Sequence, residues 1–254
     1  MVLVFCWTGL GAADGNVEIY FDYYVDFTLK QSNGDCCLPA AGVCLESCAN
    51  YFEVCYRPGN TTELFLTCQT TGVLLTAPHP VFLSLSSIIF TLNQTLGNGV
   101  RNPISLFFKG SWPGGLNLEV NVSNNYTSPP ALIVSFEYED SNTSYGNFSS
   151  LISLEDFTKT KFLDIKWRVR CSDNFYNEDC SIFCKPVDDV SGHYDCLSNG
   201  TKSCLPGWTN PQNNCTTALC ASESCQNNGS CKIEFGEIKC NCIIGYGGDY
   251  CETS

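Results

Sequence analysis

Hydrophobic and polar residues alternate along much of the first two thirds of the chain. Between Val17 and Leu29 every odd-numbered residue is apolar, and every even-numbered one carries a polar group. The same alternation recurs over 116–122, 132–138 and 163–169, whereas helical periodicity is scarce. A period of two residues predicts a β-strand with one buried and one solvated face. Strands of this kind, separated by Gly, Pro and Asn, predict an antiparallel β-sandwich.

The cysteines divide the chain into regions of different character. Of 19 cysteines, all except Cys6 fall into three blocks of six. These blocks are Cys36, Cys37, Cys44, Cys48, Cys55 and Cys68; Cys171, Cys180, Cys184, Cys196, Cys204 and Cys215; Cys220, Cys225, Cys231, Cys240, Cys242 and Cys251. The long cysteine-free stretch must fold by burial, whereas the later blocks predict small modules held by cross-links. Such cysteine usage indicates disulfides and an extracellular location.

The expected domain organisation begins with an apolar, uncharged segment that ends in small residues. Residues 1–13 are therefore interpreted as a signal peptide, with a buried first strand as the alternative. Residues 14–160 are assigned to the sandwich, and 161–215 and 216–254 to two disulfide-rich modules. No run of about 20 apolar residues predicts a membrane span. We expect a secreted protein, or an ectodomain fragment of a single-pass cell-surface protein.

Charge and the scarcity of catalytic groups exclude several functions. Asp and Glu number 26 against 13 Lys and Arg, a formal net charge of −13, which disfavours binding to nucleic acid. His79 and His193 are the only histidines, and neither lies near a nucleophile motif or a metal-ligand spacing. Asp188 and Asp189 are adjacent, so in a strand they point to opposite faces and cannot act as a catalytic pair. No enzymatic activity, cofactor or metal is expected.

Potential N-glycosylation sites are frequent, as expected for a protein of the secretory pathway. Nine Asn-x-Ser/Thr sequences occur. Eight are candidate glycosylation sites: Asn60, Asn93, Asn121, Asn125, Asn142, Asn147, Asn199 and Asn228. The ninth, Asn214, has Cys215 as its middle residue and is expected to stay unmodified.

The last cysteine block resembles an epidermal-growth-factor-like (EGF-like) module. Its spacing is C-x4-C-x5-C-x8-C-x-C-x8-C, and Gly245, Tyr246 and Gly248 lie in the final loop. The resemblance implies the disulfides Cys220–Cys231, Cys225–Cys240 and Cys242–Cys251, and it marks Ser230 as an O-fucose acceptor. Residues 216–219, before the first cysteine, supply no carboxylate, so a calcium site in the usual position is not expected.

The middle block resembles the Delta/Serrate/Lag-2 (DSL) domain of Notch ligands. Its spacing is C-x8-C-x3-C-x11-C-x7-C-x10-C, and it contains Asp-Asp-x-x-Gly-His-Tyr-x-Cys over 188–196 and Gly-Trp at 207–208. The resemblance implies the disulfides Cys171–Cys180, Cys184–Cys196 and Cys204–Cys215.

Upstream motifs extend this resemblance to the amino-terminal domain of the same ligands, a C2-class sandwich. They are Gly-Asp-Cys-Cys at 34–37, Cys-x-x-Tyr-Phe-x-Val-Cys at 48–55 and Trp-Pro at 112–113. The expected fold is mainly β: a C2-class antiparallel sandwich, a DSL domain and an EGF-like domain in an elongated array. The pairing of the first six cysteines stays open, although adjacent Cys36 and Cys37 are not expected to bond to each other.

The resemblance also implies a receptor-binding face between residues 183 and 191, which contacts an EGF repeat of the receptor. The candidate residues are Phe183, Lys185, Val187, Asp189, Val190 and Ser191. Val187 stands where a basic residue is common in the family, and Val190-Ser191 replaces a pair that usually contains an aromatic residue. Since aromatic residues and Arg dominate interface energetics, these departures predict a weaker interaction or a different partner.

Two functional hypotheses follow. The favoured one is an extracellular ligand of Notch-type receptors that binds receptor EGF repeats through the sandwich and the DSL module. Such a ligand signals between cells or, if soluble, modulates signalling. The alternative is an extracellular matrix or adhesion protein that reuses DSL and EGF-like modules. Membrane lipid is a further candidate partner, at the tip loops of the C2-class sandwich.

Overall fold

A computed structural model of the chain describes residues 14–37, 44, 48–59, 67–75, 77–78, 86–220, 224–234 and 237–254. Regular structure in this part of the chain is almost entirely β, which confirms the mainly β fold class. The proposed signal peptide and Asn60 lie outside the described residues. Within those residues, no helix has the length and apolar character needed to cross a membrane. The chain forms two units, one reaching Asp173 and including Glu178–Ser181, the other comprising Asn174–Asn177 and Ile182–Ser254.

The first unit contains eleven described strands that form two antiparallel sheets. These strands are β1 (Asp14–Asp26), β2 (Ala49–Arg57), β3 (Thr67–Thr70), β4 (Leu74–Leu75), β5 (Ala77–Pro78), β6 (Ser86–Ile89), β7 (Ile104–Lys109), β8 (Leu116–Asn124), β9 (Ala131–Asp140), β10 (Ile152–Glu155) and β11 (Lys161–Cys171). The first sheet has the order β10-β11-β1-β6-β5, and β7 also pairs with β1. The second sheet has the order β3-β2-β8-β9, and β4 also pairs with β2.

The sandwich core consists of the inward-facing residues of these strands. In β11, for example, Leu163, Ile165, Trp167 and Val169 are all completely buried. Phe21 of the first sheet packs on Phe52 of the second with ring centroids 5.3 Å apart. Such tilted aromatic pairs add about 0.5–1.5 kcal/mol beyond the area they bury. The alternation in the sequence is thus the alternation between core and surface.

The sequence-based boundary at residue 160 is wrong. β11 begins at Lys161 and lies between β10 and β1 in the first sheet. Its pairing with β1 extends from Asp26 opposite Lys161 to Gly15 opposite Cys171. A strand hydrogen-bonded on both sides is part of the sheet, so the sandwich ends at about Cys171.

A buried asparagine completes the edge of β1 where its pairing changes. β6 pairs with β1 from Tyr23 to Asp26, and β7 pairs with it from Asp14 to Ile19. Between these two ladders, the Phe21 N–H donates to Asn102 Oδ1 at 2.9 Å, and Asn102 Nδ2 donates to the Phe21 carbonyl at 2.7 Å. Asn102 has no exposed surface. Its amide therefore replaces the missing strand as partner for both backbone groups.

The second unit consists of short hairpins. Its strands are β12 (Phe175–Tyr176), β13 (Ile182–Phe183), β14 (Val187–Asp189), β15 (Gly192–Cys196), β16 (Lys202–Cys204), β17 (Trp208–Thr209), β18 (Thr217–Ala218), β19 (Ser230–Glu234) and β20 (Glu237–Asn241). A single turn of 3-10 helix, Pro211–Asn213, precedes β18. β14, β15 and β16 form one three-stranded sheet, and the other strands pair two by two as β12-β13, β17-β18 and β19-β20.

Nine disulfides link the cysteines that follow Cys6. In the first block, Cys36 pairs with Cys44, Cys37 with Cys48, and Cys55 with Cys68, which answers the question that the sequence left open. In the second block the pairs are Cys171–Cys180, Cys184–Cys196 and Cys204–Cys215. In the third they are Cys220–Cys231, Cys225–Cys240 and Cys242–Cys251. The last six pairs are those that the family resemblance implies.

Replacing Asn102 by Ala should destabilise the sandwich. The substitution leaves the N–H and carbonyl of Phe21 buried without partners, at about 1–3 kcal/mol for each such group. We expect the free energy of unfolding, measured in denaturant with the disulfides intact, to fall by at least about 2 kcal/mol. Asn117→Ala on the outer face of β8 is the control, with an expected change within about 0.5 kcal/mol. Equal effects of the two substitutions would contradict the role given to Asn102.

Candidate functional site

The candidate receptor-binding residues lie on strands β13 and β14 and in the short segments that follow each of these strands. Phe183 ends β13, and Lys185 follows it before β14. Val187 and Asp189 belong to β14, and Val190 and Ser191 form the two-residue turn to β15, where Asp189 lies opposite Gly192. The structure therefore brings the candidate residues together in one short segment. Their part in receptor binding stays a prediction.

Two apolar side chains in this segment are exposed to solvent. Val190, at the tip of the hairpin, is fully exposed at 101%, and Phe183 is 51% exposed. The ring of Phe183 is held by Phe175 of β12, directly opposite it in the register, with centroids 5.2 Å apart. Val187 differs from the other candidates because it packs against a small core formed by Cys184, Tyr194 and Cys215. Val187 thus anchors β14 to this core, whereas the side chains of Phe183 and Val190 face solvent.

The turn at the tip is closed by one carboxylate. Asp189 Oδ1 accepts hydrogen bonds from the Ser191 hydroxyl at 2.5 Å and from the Ser191 backbone N–H at 2.7 Å. These two bonds, the hydroxyl first, lower the pKa of Asp189 below its ordinary value. A carboxylate that accepts hydrogen bonds in its ionised form is stabilised in that form. Asp189 is therefore charged at neutral pH and shapes the turn that presents Val190.

A second set of contacts holds the base of the hairpin. The ring of His193 stacks on Trp208 with centroids 3.5 Å apart and an angle of 13° between the planes. His193 Nδ1 lies 2.6 Å from Asp188 Oδ1. Asp188 and Asp189 thus point to different partners, as expected for neighbours on a strand. His193 thus contacts Trp208 through the face of its ring and Asp188 through Nδ1.

Gly192 is needed because two segments approach closely at the start of β15. A Cβ at this position would lie 2.8 Å from the carbonyl oxygen of Asn214 and 2.9 Å from the ring of Tyr194. Backbone atoms cannot yield to such a contact, so no larger residue fits there. This explains the glycine of the Gly-His-Tyr sequence in physical terms.

Sequence reasoning did not assign supporting roles to Asp188 or Trp208. Asp188 contacts His193 on the neighbouring strand, and Trp208 stacks on the ring of the same histidine. Their signal was present in the sequence as aromatic and acidic residues around the cysteines, but their partners are set by the strand register. Such positions can be recognised only when the pairing of β14 with β15 is known.

The candidate glycosylation sites are placed at the surface. Six of the asparagines are exposed: Asn93, Asn125, Asn142, Asn147, Asn199 and Asn228. Asn121 is half-exposed on β8, and Ser230 is exposed at the start of β19. Asn214 is also half-exposed, and its Oδ1 accepts a 2.6 Å hydrogen bond from Lys202 Nζ. Accessibility thus agrees with modification at the other sites, whose use stays a prediction.

One group of side chains superficially resembles a metal site among the described residues. Glu53, Cys55 and Cys68 place their ligand atoms within 4.8 Å of one another. The two sulfurs form a disulfide, however, and metal binding requires thiolates. These residues do not make up a metal-binding donor set.

Two family models match the chain. The model described as "N terminus of Notch ligand C2-like domain" matches residues 14–135, and the model described as "Delta serrate ligand" matches residues 171–218. The first covers most of the sandwich, and the second begins at the last residue of β11.

Several known proteins are similar over most of this chain. Delta-like protein 4 of Mus musculus is 30% identical over 239 residues, which span 91% of this chain and 32% of that protein. Neurogenic locus protein delta of Drosophila melanogaster is 30% identical over 207 residues, 77% of this chain and 24% of that protein. Protein jagged-1 of Homo sapiens is 30% identical over 216 residues, 82% of this chain and 17% of that protein. The chain therefore spans a third or less of the length of these relatives.

A solved structure shares the whole arrangement of modules. The "Structure of Drosophila C2-DSL-EGF1" is 28% identical, with a TM-score of 0.63, and the match covers 94% of this chain and all of that one. This likeness supports the assignment of a C2-like sandwich followed by DSL and EGF-like modules.

Substituting Ser191 by Ala should raise the pKa of Asp189 towards its ordinary value. The hydroxyl hydrogen bond that stabilises the carboxylate is lost, while the bond from the backbone N–H remains. The ionised form of Asp189 then gives way to the neutral form at a higher pH than in the unmodified chain. A pH titration of the carboxyl resonances by NMR measures this shift, and an unchanged midpoint would contradict the assigned bond.

Proposed function

Because the chain belongs to the Delta/Serrate family of Notch ligands, as the amino-terminal region of such a protein, we propose that it binds EGF repeats of a Notch-type receptor. The DSL hairpin, with Phe183, Lys185, Val190 and Ser191 at its surface, forms the contact face together with the sandwich. The family consists of signalling ligands, not enzymes. In this role the protein acts outside the cell and carries a signal between neighbouring cells or modulates it.

The observation that carries the proposal is the geometry of this hairpin. A fully exposed Val190 and a half-exposed Phe183 lie within eight residues of each other on a frame cross-linked by Cys184–Cys196 and Cys204–Cys215. Exposed apolar groups cost solvation free energy unless a partner covers them, and rigid presentation lowers the entropic cost of binding. The hairpin thus has the properties of a preformed contact surface.

The nine disulfides support an extracellular site of action. The relatives are extracellular or cell-surface ligands. A matrix or adhesion role without receptor specificity is not favoured, because each relative described above is a Delta-like, Delta or Jagged protein.

Truncating Phe183 to Ala should weaken receptor binding about tenfold or more, as expected for an aromatic residue central to an interface. Binding of the purified chain to ligand-binding repeats of a Notch-type receptor is measured by surface plasmon resonance. Leu197→Ala is the matched control. The side chain of Leu197 is 50% exposed, nearly the same fraction as that of Phe183 at 51%, but Leu197 lies in the turn between β15 and β16, outside the candidate segment. Near-ultraviolet circular dichroism and disulfide mapping verify that both variants are folded. Equal affinities of the two variants would refute the assigned face.

A glycan placed on the hairpin tests the same face without removing any apolar contact. Asp189→Asn creates the sequence Asn-Val-Ser over 189–191, a new acceptor for N-glycosylation beside the exposed tip. We expect the glycosylated variant, produced in a eukaryotic secretory host, to lose measurable receptor binding. Peptide-N-glycosidase releases the glycan and converts this asparagine to aspartate, which regenerates the native residue and should restore the affinity. Full affinity of the glycosylated variant would contradict the proposal.

A further inference from the structure

The outer face of the second sheet is formed in part by polar side chains of its strand β8. Outward-facing residues of β8 alternate with the buried Leu116, Leu118, Val120 and Val122. They are Asn117, Glu119 and Asn121, each partly exposed, whereas Ser123 and Asn124 at the end of the strand are buried. Asn125 follows the strand directly and is exposed.

Two glycosylation sequences therefore share this one face. Asn121 begins Asn-Val-Ser, and Asn125 begins Asn-Tyr-Thr. Four residues of extended chain separate their Cα atoms by about 13 Å. Asn121 lies opposite Glu53 of β2 on one side and Ser135 of β9 on the other, so it occupies the middle of the face.

The amide of Asn121 is compatible with a glycan. Its Nδ2 donates a hydrogen bond to Glu119 Oε1 at 2.8 Å. An asparagine amide has two N–H groups, and N-glycosylation replaces only one of them. The other N–H group remains available for the bond to Glu119.

The surface around the two asparagines is polar and grooved. One groove of about 480 Å³ is lined by Arg57, Asn117, Glu119, Glu137 and Glu139, among others. A second, of about 310 Å³, is lined by Asn125 itself together with Tyr51, Thr70 and Asn98. Open grooves with carboxylate, amide, hydroxyl and phenol groups can hydrogen-bond to sugar hydroxyls, whereas apolar ligands favour enclosed apolar cavities.

The negative charge of this face disfavours contact with a protein surface that is neutral or acidic. Glu119 lies directly opposite Glu137, and Glu139 is two residues further along β9. Glu53 adds a fourth outward carboxylate, and Arg57 is the cation of the first groove. Like charges directly opposite each other repel, so a bare contact here would need a strongly basic partner.

The first sheet offers a contrast. Its described strands β1, β6, β7, β10 and β11 contain no Asn-x-Ser/Thr sequence. Of the other described candidates in this unit, Asn93 lies between β6 and β7, and Asn142 and Asn147 lie between β9 and β10. Among the described strands, only β8 thus carries an acceptor site, Asn121, on the face of a sheet.

We propose that N-linked glycans on Asn121 and Asn125 cover the outer face of the second sheet, and that the sandwich meets protein partners without using this face. The second half of the statement rests on the proposed receptor binding. The first half stands independently, because it concerns only this chain and its own glycans.

The glycan cover is tested on the full chain secreted from a eukaryotic host. Mass spectrometry after peptide-N-glycosidase treatment should find Asn121 and Asn125 converted to aspartate. Carbodiimide-coupled labelling of carboxylates should then increase at least twofold at Glu119, Glu137 and Glu139 in Asn121→Gln/Asn125→Gln. Labelling at Glu155 of β10 in the first sheet should stay unchanged. If the double variant is not secreted, the purified folded chain is labelled before and after enzymatic removal of its glycans.

The proposed glycan cover would be overturned if Asn121 were found unmodified. Equal labelling of the three glutamates with and without the glycans would also overturn it. The receptor arm compares the affinity of Asn121→Gln/Asn125→Gln with that of the unmodified chain, and we expect a Kd within twofold. A change greater than tenfold would mean that the face or its glycans take part in the contact. If the unmodified chain does not bind receptor at all, the proposed function fails, and the labelling result still decides whether the face is covered.

Discussion

The antiparallel pairing of β1 with β11 is the interaction on which the first unit depends. It joins the beginning of the described chain to a strand about 150 residues later, from Gly15 opposite Cys171 to Asp26 opposite Lys161. The pairing makes both strands central in the first sheet and turns Phe21, Ile165 and Trp167 towards the second sheet. It also ends at Cys171, whose disulfide to Cys180 anchors the next segment. Core, sheet order and module boundary thus follow from a single register.

The second unit is stabilised differently because its strands are too short to bury a large core. Its described core consists of Cys184, Tyr194 and Cys215, with partly buried neighbours such as Trp208. Disulfides restrict the unfolded chain and contribute about 2–4 kcal/mol each, which allows such a small structure to persist. The same cross-links leave Phe183 and Val190 exposed without loss of the fold. Exposed apolar side chains are tolerated here because much of the stability comes from covalent bonds.

Side-chain alternation also distributes functions over the sandwich. A strand that buries every second residue presents the others on one outer face, so Asn121 of β8 lies on the same face as the carboxylates Glu119 and Glu137. Asn125, directly after β8, lines a groove with Tyr51, whereas the described strands of the first sheet carry no acceptor. The proposed glycan cover therefore rests on strand geometry.

The sequence by itself determined the class of fold and the order of modules. Alternation over 17–29 and 163–169 predicted strands, because hydrophobic burial acts on every second residue whatever the partner strand. Cysteine spacing and the motifs around it resembled two known modules, and that resemblance implied their six disulfides. It placed the end of the sandwich at 160, however, because a boundary depends on which strand pairs with β11, and pairing is non-local.

Only the tertiary structure decided several contacts that no local sequence pattern specifies. These include the pairs Cys36–Cys44 and Cys37–Cys48, the amide of Asn102 bridging Phe21, and the stacking of His193 on Trp208. The candidate residues Phe183 and Val190 could be located from the family motif, but their exposure could not. Exposure depends on how strands from the whole unit pack, and that information lies in the register and packing rather than in any local pattern.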